Sequence, residues 1–310
     1  MSALVCGSFA FDTIMVFEDK FANHILPEKV HILNVSFMVP SMRREFGGCA
    51  GNIAYTLNML GGDVIPMGTV GKDFGAYGQW MDECSIDRSF VIEIDNTYTA
   101  QAFITTDMAD NQITAFHPGA MNFSHQNRVN QISGVSMGMV SPDGRDGMIE
   151  HAAQFAQADI PFFFDPGQGM PMFDGEDLKR FVEQASWVIV NDYEFQLLSE
   201  RTGWSAEIIA AKLEALIVTR GSEGSIIYAN NQEIEIPSAP VTKINDPTGC
   251  GDAYRGGLLY GLQRNLDWAT TGRIAALCGA IKIEQHGTQN HQFTLEEFHA
   301  RFQQAFQYDF

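Results

Sequence analysis

An α/β fold with a central, mostly parallel sheet follows from three features of the 310-residue sequence. From about residue 135 onward, short apolar runs alternate with helical patterns. Those runs lack strict in–out alternation, as strands do when helices cover both faces. No internal repeat, low-complexity tract or linker divides the chain. A single domain over residues 1–310 is therefore expected, with a small β-sheet lid built from insertions at about 14–46 and 90–117.

Residues 4–6 read as a buried strand ending at Gly7-Ser8. Asp12 follows among apolar neighbours, either as an acceptor for ligand hydroxyls or as a turn residue. Residues 18–46 form an excursion with short alternating pieces at 31–39. Gly47-Gly48-Cys49-Ala50-Gly51-Asn52 then opens a helix to about residue 60, its apolar face made by Ile53, Ala54, Leu57 and Leu60. The glycines there permit either close ligand approach or a tight turn. Residues 64–71 read as strand and turn, and 74–83 as helix. Short strands at 91–94, 102–105 and 113–116 group with 30–39 into the lid sheet. Strands are expected at 135–140, 161–164, 187–190 and 216–219, with helices at 148–157, 177–184, 193–200 and 206–213. A hairpin turns at Asn230-Asn231, and helices at 268–285 and 293–306 finish the chain.

The formal charge of -19 argues against nucleic acid or an acidic membrane as partner. The five cysteines are odd in number and form no C-x-x-C pair, which argues against a disulfide framework and a zinc site and favours a reducing compartment. The N-terminus has neither a basic flank nor a long apolar core, and no apolar run reaches membrane-spanning length. A cytoplasmic location is expected.

The stretch Asn245-Asp246-Pro247-Thr248-Gly249-Cys250-Gly251-Asp252 runs from a loop into a helix. Glycines at a helix N-terminus let backbone N–H groups and the helix dipole converge on an anion, and Asp252 stands beside them. That combination suits phosphoryl transfer; an ordinary helix-capping turn is the alternative. Gly256, Gly257 and Gly261 in the same helix mark places where a ligand or neighbouring backbone comes close. Asn191-Asp192-Tyr193-Glu194 follows an apolar run. Asn191 and Glu194 would hold phosphate and the waters of a magnesium ion, or form a helix capping box. Thr219-Arg220-Gly221-Ser222-Glu223-Gly224 would hold nucleotide phosphates or make a turn. The sequence has no Walker lysine loop, no dinucleotide fingerprint after the first strand and no G-x-S-x-G elbow.

Asp246 to Tyr254 resembles the C-terminal signature of the ribokinase (PfkB-type) family of small-molecule kinases; Gly47 to Asn52 resembles its N-terminal signature, and Asn191-x-x-Glu194 its N-x-x-E motif. Order and spacing match over essentially the whole chain. Within the family the sequence is most similar to bacterial adenosine kinases, through Gly7-Ser8 with Asp12, Pro118-Gly119-Ala120-Met121, Thr202-Gly203-Trp204-Ser205 and Gly287-Thr288-Gln289.

The resemblance implies a ribokinase-like fold and transfer from ATP, with Mg²⁺, to the 5′-hydroxyl of adenosine. It implies that Asp252 is the base and that the N–H groups of Gly249, Cys250 and Gly251 form the anion hole. Asp12, Gly48 and Asn52 would bind the ribose, with Ser8 and Ser36 near the nucleoside, Phe116 packing on adenine and Gln168 as a polar contact. Asn191, Glu194, Thr219, Arg220, Gly221 and Gly224 would face ATP, Glu194 through metal-bound water, with His286 and Gly287 near the ATP base. The lid would close over the nucleoside to exclude water, and its edges could pair into a homodimer.

Two positions depart from the pattern. Ala102 stands where a second adenine-packing aromatic is expected, with Phe103 as a possible substitute. Cys250 replaces a small apolar residue at a helix N-terminus, where a lowered thiol pKa is expected and alkylation should block turnover.

Overall fold

The computed structural model describes residues 2–25, 34–109 and 111–310. In chain order its elements are β1 (Ser2–Cys6), β2 (Ala10–Val16), β3 (Ser41–Gly47), α1 (Cys49–Met59), β4 (Val64–Val70), α2 (Gly75–Glu83), β5 (Phe90–Glu93), β6 (Ala100–Thr106) and β7 (Gln112–His117). There follow β8 (Val135–Val140), α3 (Arg145–Gln157), β9 (Phe162–Phe164), α4 (Gly175–Gln184), β10 (Trp187–Asn191), α5 (Asp192–Thr202), α6 (Ala206–Ala210) and β11 (Ala215–Thr219). The hairpin β12 (Ser225–Ala229) and β13 (Gln232–Ile236) leads to α7 (Cys250–Gln263), α8 (Trp268–Ile283) and α9 (Leu295–Phe306).

The large sheet has nine strands in the order β13-β12-β11-β10-β9-β8-β1-β4-β5, parallel except for the terminal hairpin. Its inner strands are apolar on both faces. In β9, Phe162, Phe163 and Phe164 are all fully buried, and adjacent residues enter different core clusters above and below the sheet. α7 lies inside the molecule, buried from Ala253 to Gly261 and packed between α1 and α8. This packing explains its glycines. A Cβ on Gly257 would stand 2.6 Å from Ala275 Cα, and one on Gly256 2.9 Å from Thr56 Cβ. Helix–helix approach, not ligand approach, requires these small residues.

Among the described residues the lid is a separate four-stranded sheet in the order β3-β2-β6-β7. Its composition corrects the expectation from sequence in three ways. β5 pairs with β4 and extends the large sheet, so the strand expected at 91–94 is not part of the lid. Residues 34–39 carry no strand, and 30–33 lie outside the described residues. The lid instead uses β2, with Asp12 in mid-strand rather than in a turn, and β3. In strict register, Glu45, Asp12, Ala102 and Phe116 form one row across the sheet and share one face.

Candidate active site

The turns after the parallel strands of the large sheet end on one side, where open α/β sheets bind ligands. Asp252 sits in the first turn of α7, at a helix start with no side-chain cap; Gly249 takes the N-cap position at φ 79°. Of the three amides expected in the anion hole, that of Cys250 donates to Pro247 O at 3.2 Å. Asn52 Nδ2 donates to Asp252 Oδ2 at 2.8 Å. Asn52 is itself fixed: Gln289 Nε2 donates to its Oδ1 at 3.0 Å and to Tyr77 Oη at 2.6 Å, while the Tyr77 hydroxyl donates to Gly47 O at 2.9 Å. The two glycine signatures, 200 residues apart, thus meet through one side-chain hydrogen bond.

Burial pushes the Asp252 carboxyl up to about 6, against the pull of Arg255 and the Asn52 hydrogen bond; Asp165 and Asp12 push it further the same way. Asp12, on the lid face, is also pushed up to about 6, by burial and then by Glu45 and Asp246. Two carboxyl groups raised to about 6, with Asp12 acting on Asp252, suit acid–base work.

Asp246 organises the loop before α7. Its carboxylate accepts the Thr248 amide at 2.9 Å and the Gly287 amide at 3.0 Å, and Arg43 of the lid comes within 3.8 Å. Despite burial, those amide bonds hold Asp246 below the usual carboxylate range. Lys282, fully buried, donates from Nζ to Asp246 O at 2.7 Å and Gln285 O at 3.2 Å, which ties the loop to the end of α8. Cys250 behaves opposite to expectation. Burial pushes its thiol up to about 11, so the helix terminus does not make it a reactive thiolate.

An apolar cleft of about 330 Å³ is lined by Thr219, Gly221, Ile244, Gly251, Tyr254, Ala276 and Ala280. Gly224 also lines it. Thr219 Oγ1 donates to Val190 O at 3.4 Å, and the Arg220 amide to Gly224 O at 2.8 Å. Asn191 and Glu194 form the capping box of α5, each side chain accepting the other's amide at 2.7 and 2.9 Å. The capping reading of this motif is therefore realised, and one Glu194 oxygen is spent on it. His286 and Gly287 do not line the cleft: Gly287 faces Asp246 and Glu45, and His286 is exposed.

Of the residues expected to bind the nucleoside, Ser8 Oγ accepts the Cys49 amide at 3.3 Å beside Gly48, while Asp12 and Phe116 share the lid row. Gly48 has φ 88°, and a Cβ there would stand 2.5 Å from Ser8 O and 2.6 Å from Phe9 Cα. Chain crossing thus requires this glycine independently of any ligand. Phe116 is 54% exposed, a ring open to a partner. Phe103 does not replace the missing aromatic at Ala102, because it pairs with Thr13 and Ala115 on the opposite face of the lid. Ser36 and Gln168 are both exposed, Gln168 three residues past Asp165 at the end of β9.

Sequence reasoning left Gln289, Tyr77, Arg43, Glu45, Lys282, Arg255 and Asp165 without roles. Arg255 was visible one helical turn after Asp252, and Gln289 within a quoted matching stretch; only the fold shows what they touch. Among the described residues no group of three or more His, Cys, Asp or Glu could cage a metal, and no helix is long and apolar enough to cross a membrane.

The sequence model for pfkB family carbohydrate kinases matches residues 12–294. The chain belongs to the pfkB family. Within it, a nucleoside kinase of Methanocaldococcus jannaschii is 32% identical over 264 residues, 84% of this chain and 87% of that protein. The structure of Burkholderia thailandensis nucleoside kinase in complex with inosine is 51% identical, covers 99% of both chains and superposes with a TM-score of 0.90. The same enzyme in complex with ADP-inosine gives 0.88 at 52% identity, over 99% of this chain and 97% of that one. The pfkB assignment and these superpositions give the ribokinase-like fold, with its large mostly parallel sheet and small separate lid.

Proposed function

We propose that this chain is an ATP-dependent nucleoside kinase that phosphorylates the 5′-hydroxyl of purine nucleosides, adenosine among them. The observation that carries the reading is Asp252, held by Asn52 at the uncapped start of α7, between the donor cleft and the lid row of Asp12 and Phe116. In this reading Asp12 accepts the ribose hydroxyls and Phe116 covers the base. Asp252 takes the 5′-hydroxyl proton as the new P–O bond forms and the bond to ADP breaks. Backbone N–H groups around Gly249 and Gly251 stabilise the transferring group.

Mg²⁺ fits the donor edge only as an ion that keeps most of its water and phosphate ligands, because among the described residues no group of three or more His, Cys, Asp or Glu could cage it and one oxygen of Glu194 is occupied by the cap. Its chemistry is to neutralise phosphate charge; Asn191, Thr219 and Arg220 would orient the phosphates beside it.

A second reading, that inosine is as good an acceptor or better, is favoured by the inosine complex of the 51% identical Burkholderia protein. Gln168 supports a broad purine preference: an amide can turn either its N–H₂ or its C=O toward a 6-oxo or 6-amino group. ADP release with adenosine, inosine, guanosine, ribose and fructose tests both readings. Purine nucleosides should lead; preferential turnover of a free sugar would overturn the proposal, and the adenosine-to-inosine ratio decides between the two readings. We also propose a homodimer through the lid face opposite Asp12, where Met42, Phe103 and Ile113 are exposed at 68%, 41% and 44%.

A further inference from the structure

Arg255 is 8% exposed and lies on α7 one helical turn beyond Asp252. Helical side chains lean toward the N-terminus, so its guanidinium reaches back beneath the first turn. Two nitrogens are committed to Asp165, just past the end of β9: Nε at 2.6 Å and Nη2 at 2.5 Å. Asp165 also accepts the Ser141 hydroxyl at 2.9 Å. The third nitrogen, Nη1, lies against Gly251, where an added Cβ would come within 2.8 Å of it. Gly251 therefore leaves room for a cation directly behind the phosphate-binding turn. Well-packed apolar residues in place of a buried ion pair are often neutral or stabilising, so stability alone does not account for this one.

The titratable and polar groups facing Asp252 come from every neighbouring element. They are Asn52 and Cys49 of α1, Tyr77 of α2, Asp12 of the lid, Asp165 past β9, and Cys250 and Arg255 of α7. Among these, Arg255 alone is cationic. We propose that Arg255 is a positioning residue for phosphoryl transfer: clamped by Asp165, it supports the Gly249–Gly251 turn from behind and presents one positive charge to Asp252. The idea rests on the reading of Asp252 as the base. Arg255 and Asp165 act on the Asp252 carboxyl in opposite directions, Arg255 lowering its pKa and Asp165 raising it.

The test is the acid limb of kcat/KM against pH for Arg255→Met, Arg255→Lys and Asp165→Asn, each checked for folding by thermal unfolding. Arg255→Met should move the limb up by about one pH unit or more, and Arg255→Lys should restore part of that shift. Asp165→Asn should move it down, because the negative charge of Asp165 itself raises the Asp252 carboxyl and Arg255 loses its competing partner. Limbs that stay in place, or that move in the same direction in the Met and Asn variants, would overturn the proposal, since a packing role alone gives no opposed shifts. If Arg255→Met does not fold, Arg255→Gln, which keeps an amide for Asp165 but no charge, decides: an upward shift supports the role, and an unchanged or downward limb refutes it. Asp252→Asn run alongside separates the two levels. An inactive Asp252→Asn with unmoved limbs removes only the role of Arg255; an active one removes the base assignment and this proposal together.

Discussion

At the scale of single residues, the site consists of carboxylates in unlike settings. Asp246 is satisfied by amides and held low, whereas Asp12 and Asp252 are half-buried, act on one another and are pushed up to about 6. In the proposed reaction both of the latter act ionised, Asp252 to take a proton and Asp12 to accept ribose hydroxyls. A raised carboxyl pKa means that the active form is lost as pH falls through about 6, not through 4. kcat/KM measured from pH 5 to 8 should therefore fall on the acid side with a slope approaching about two, because two interacting groups must both be ionised. A flat profile down to pH 5 would contradict this. Asp252 and Asn52 were legible in the sequence because each stands in a glycine-rich signature. The charges behind them were not, since Asp165 and Arg255 are 90 residues apart and meet only through the fold.

At the scale of elements, the lid shows where sequence patterning fails. Residues 91–94 and 102–105 look alike as short apolar runs, yet one edges the large sheet and the other lies inside the lid. Pairing depends on which neighbour is reachable, and local composition does not encode that. By contrast, the parallel strands and helices after residue 135 were legible because double-sided burial leaves a strong signal. Register makes a sharp distinction between two nearby aromatics. Phe116→Ala should raise nucleoside KM by about tenfold, the scale of one ring–base stack, whereas Phe103→Ala on the opposite face should leave it within about twofold. At the crossing of β1–β2 and the start of α1, Gly48→Ala should lower stability by more than about 1 kcal/mol, read by denaturant unfolding, because both its positive φ and its contact with Ser8 and Phe9 exclude a side chain.

At the scale of the whole molecule, the proposed function depends on two sheets, each contributing one part of the site. The large sheet and α7 carry the cleft proposed for the donor and Asp252, and the lid carries Asp12 and Phe116. The outward lid face should hold a second copy, so sedimentation equilibrium should show a dimer that Phe103→Asp converts to monomer; an unmodified chain that sediments as a monomer would remove that interface. The central claim is that these halves meet in base-assisted phosphoryl transfer to a purine nucleoside. The most direct measurement is the initial rate of ADP formation with adenosine and inosine, for the unmodified chain and for Asp252→Asn. Turnover of nucleoside should fall by at least about a hundredfold in kcat while nucleoside binding persists. A variant rate near that of the unmodified chain would place the base elsewhere and contradict the account.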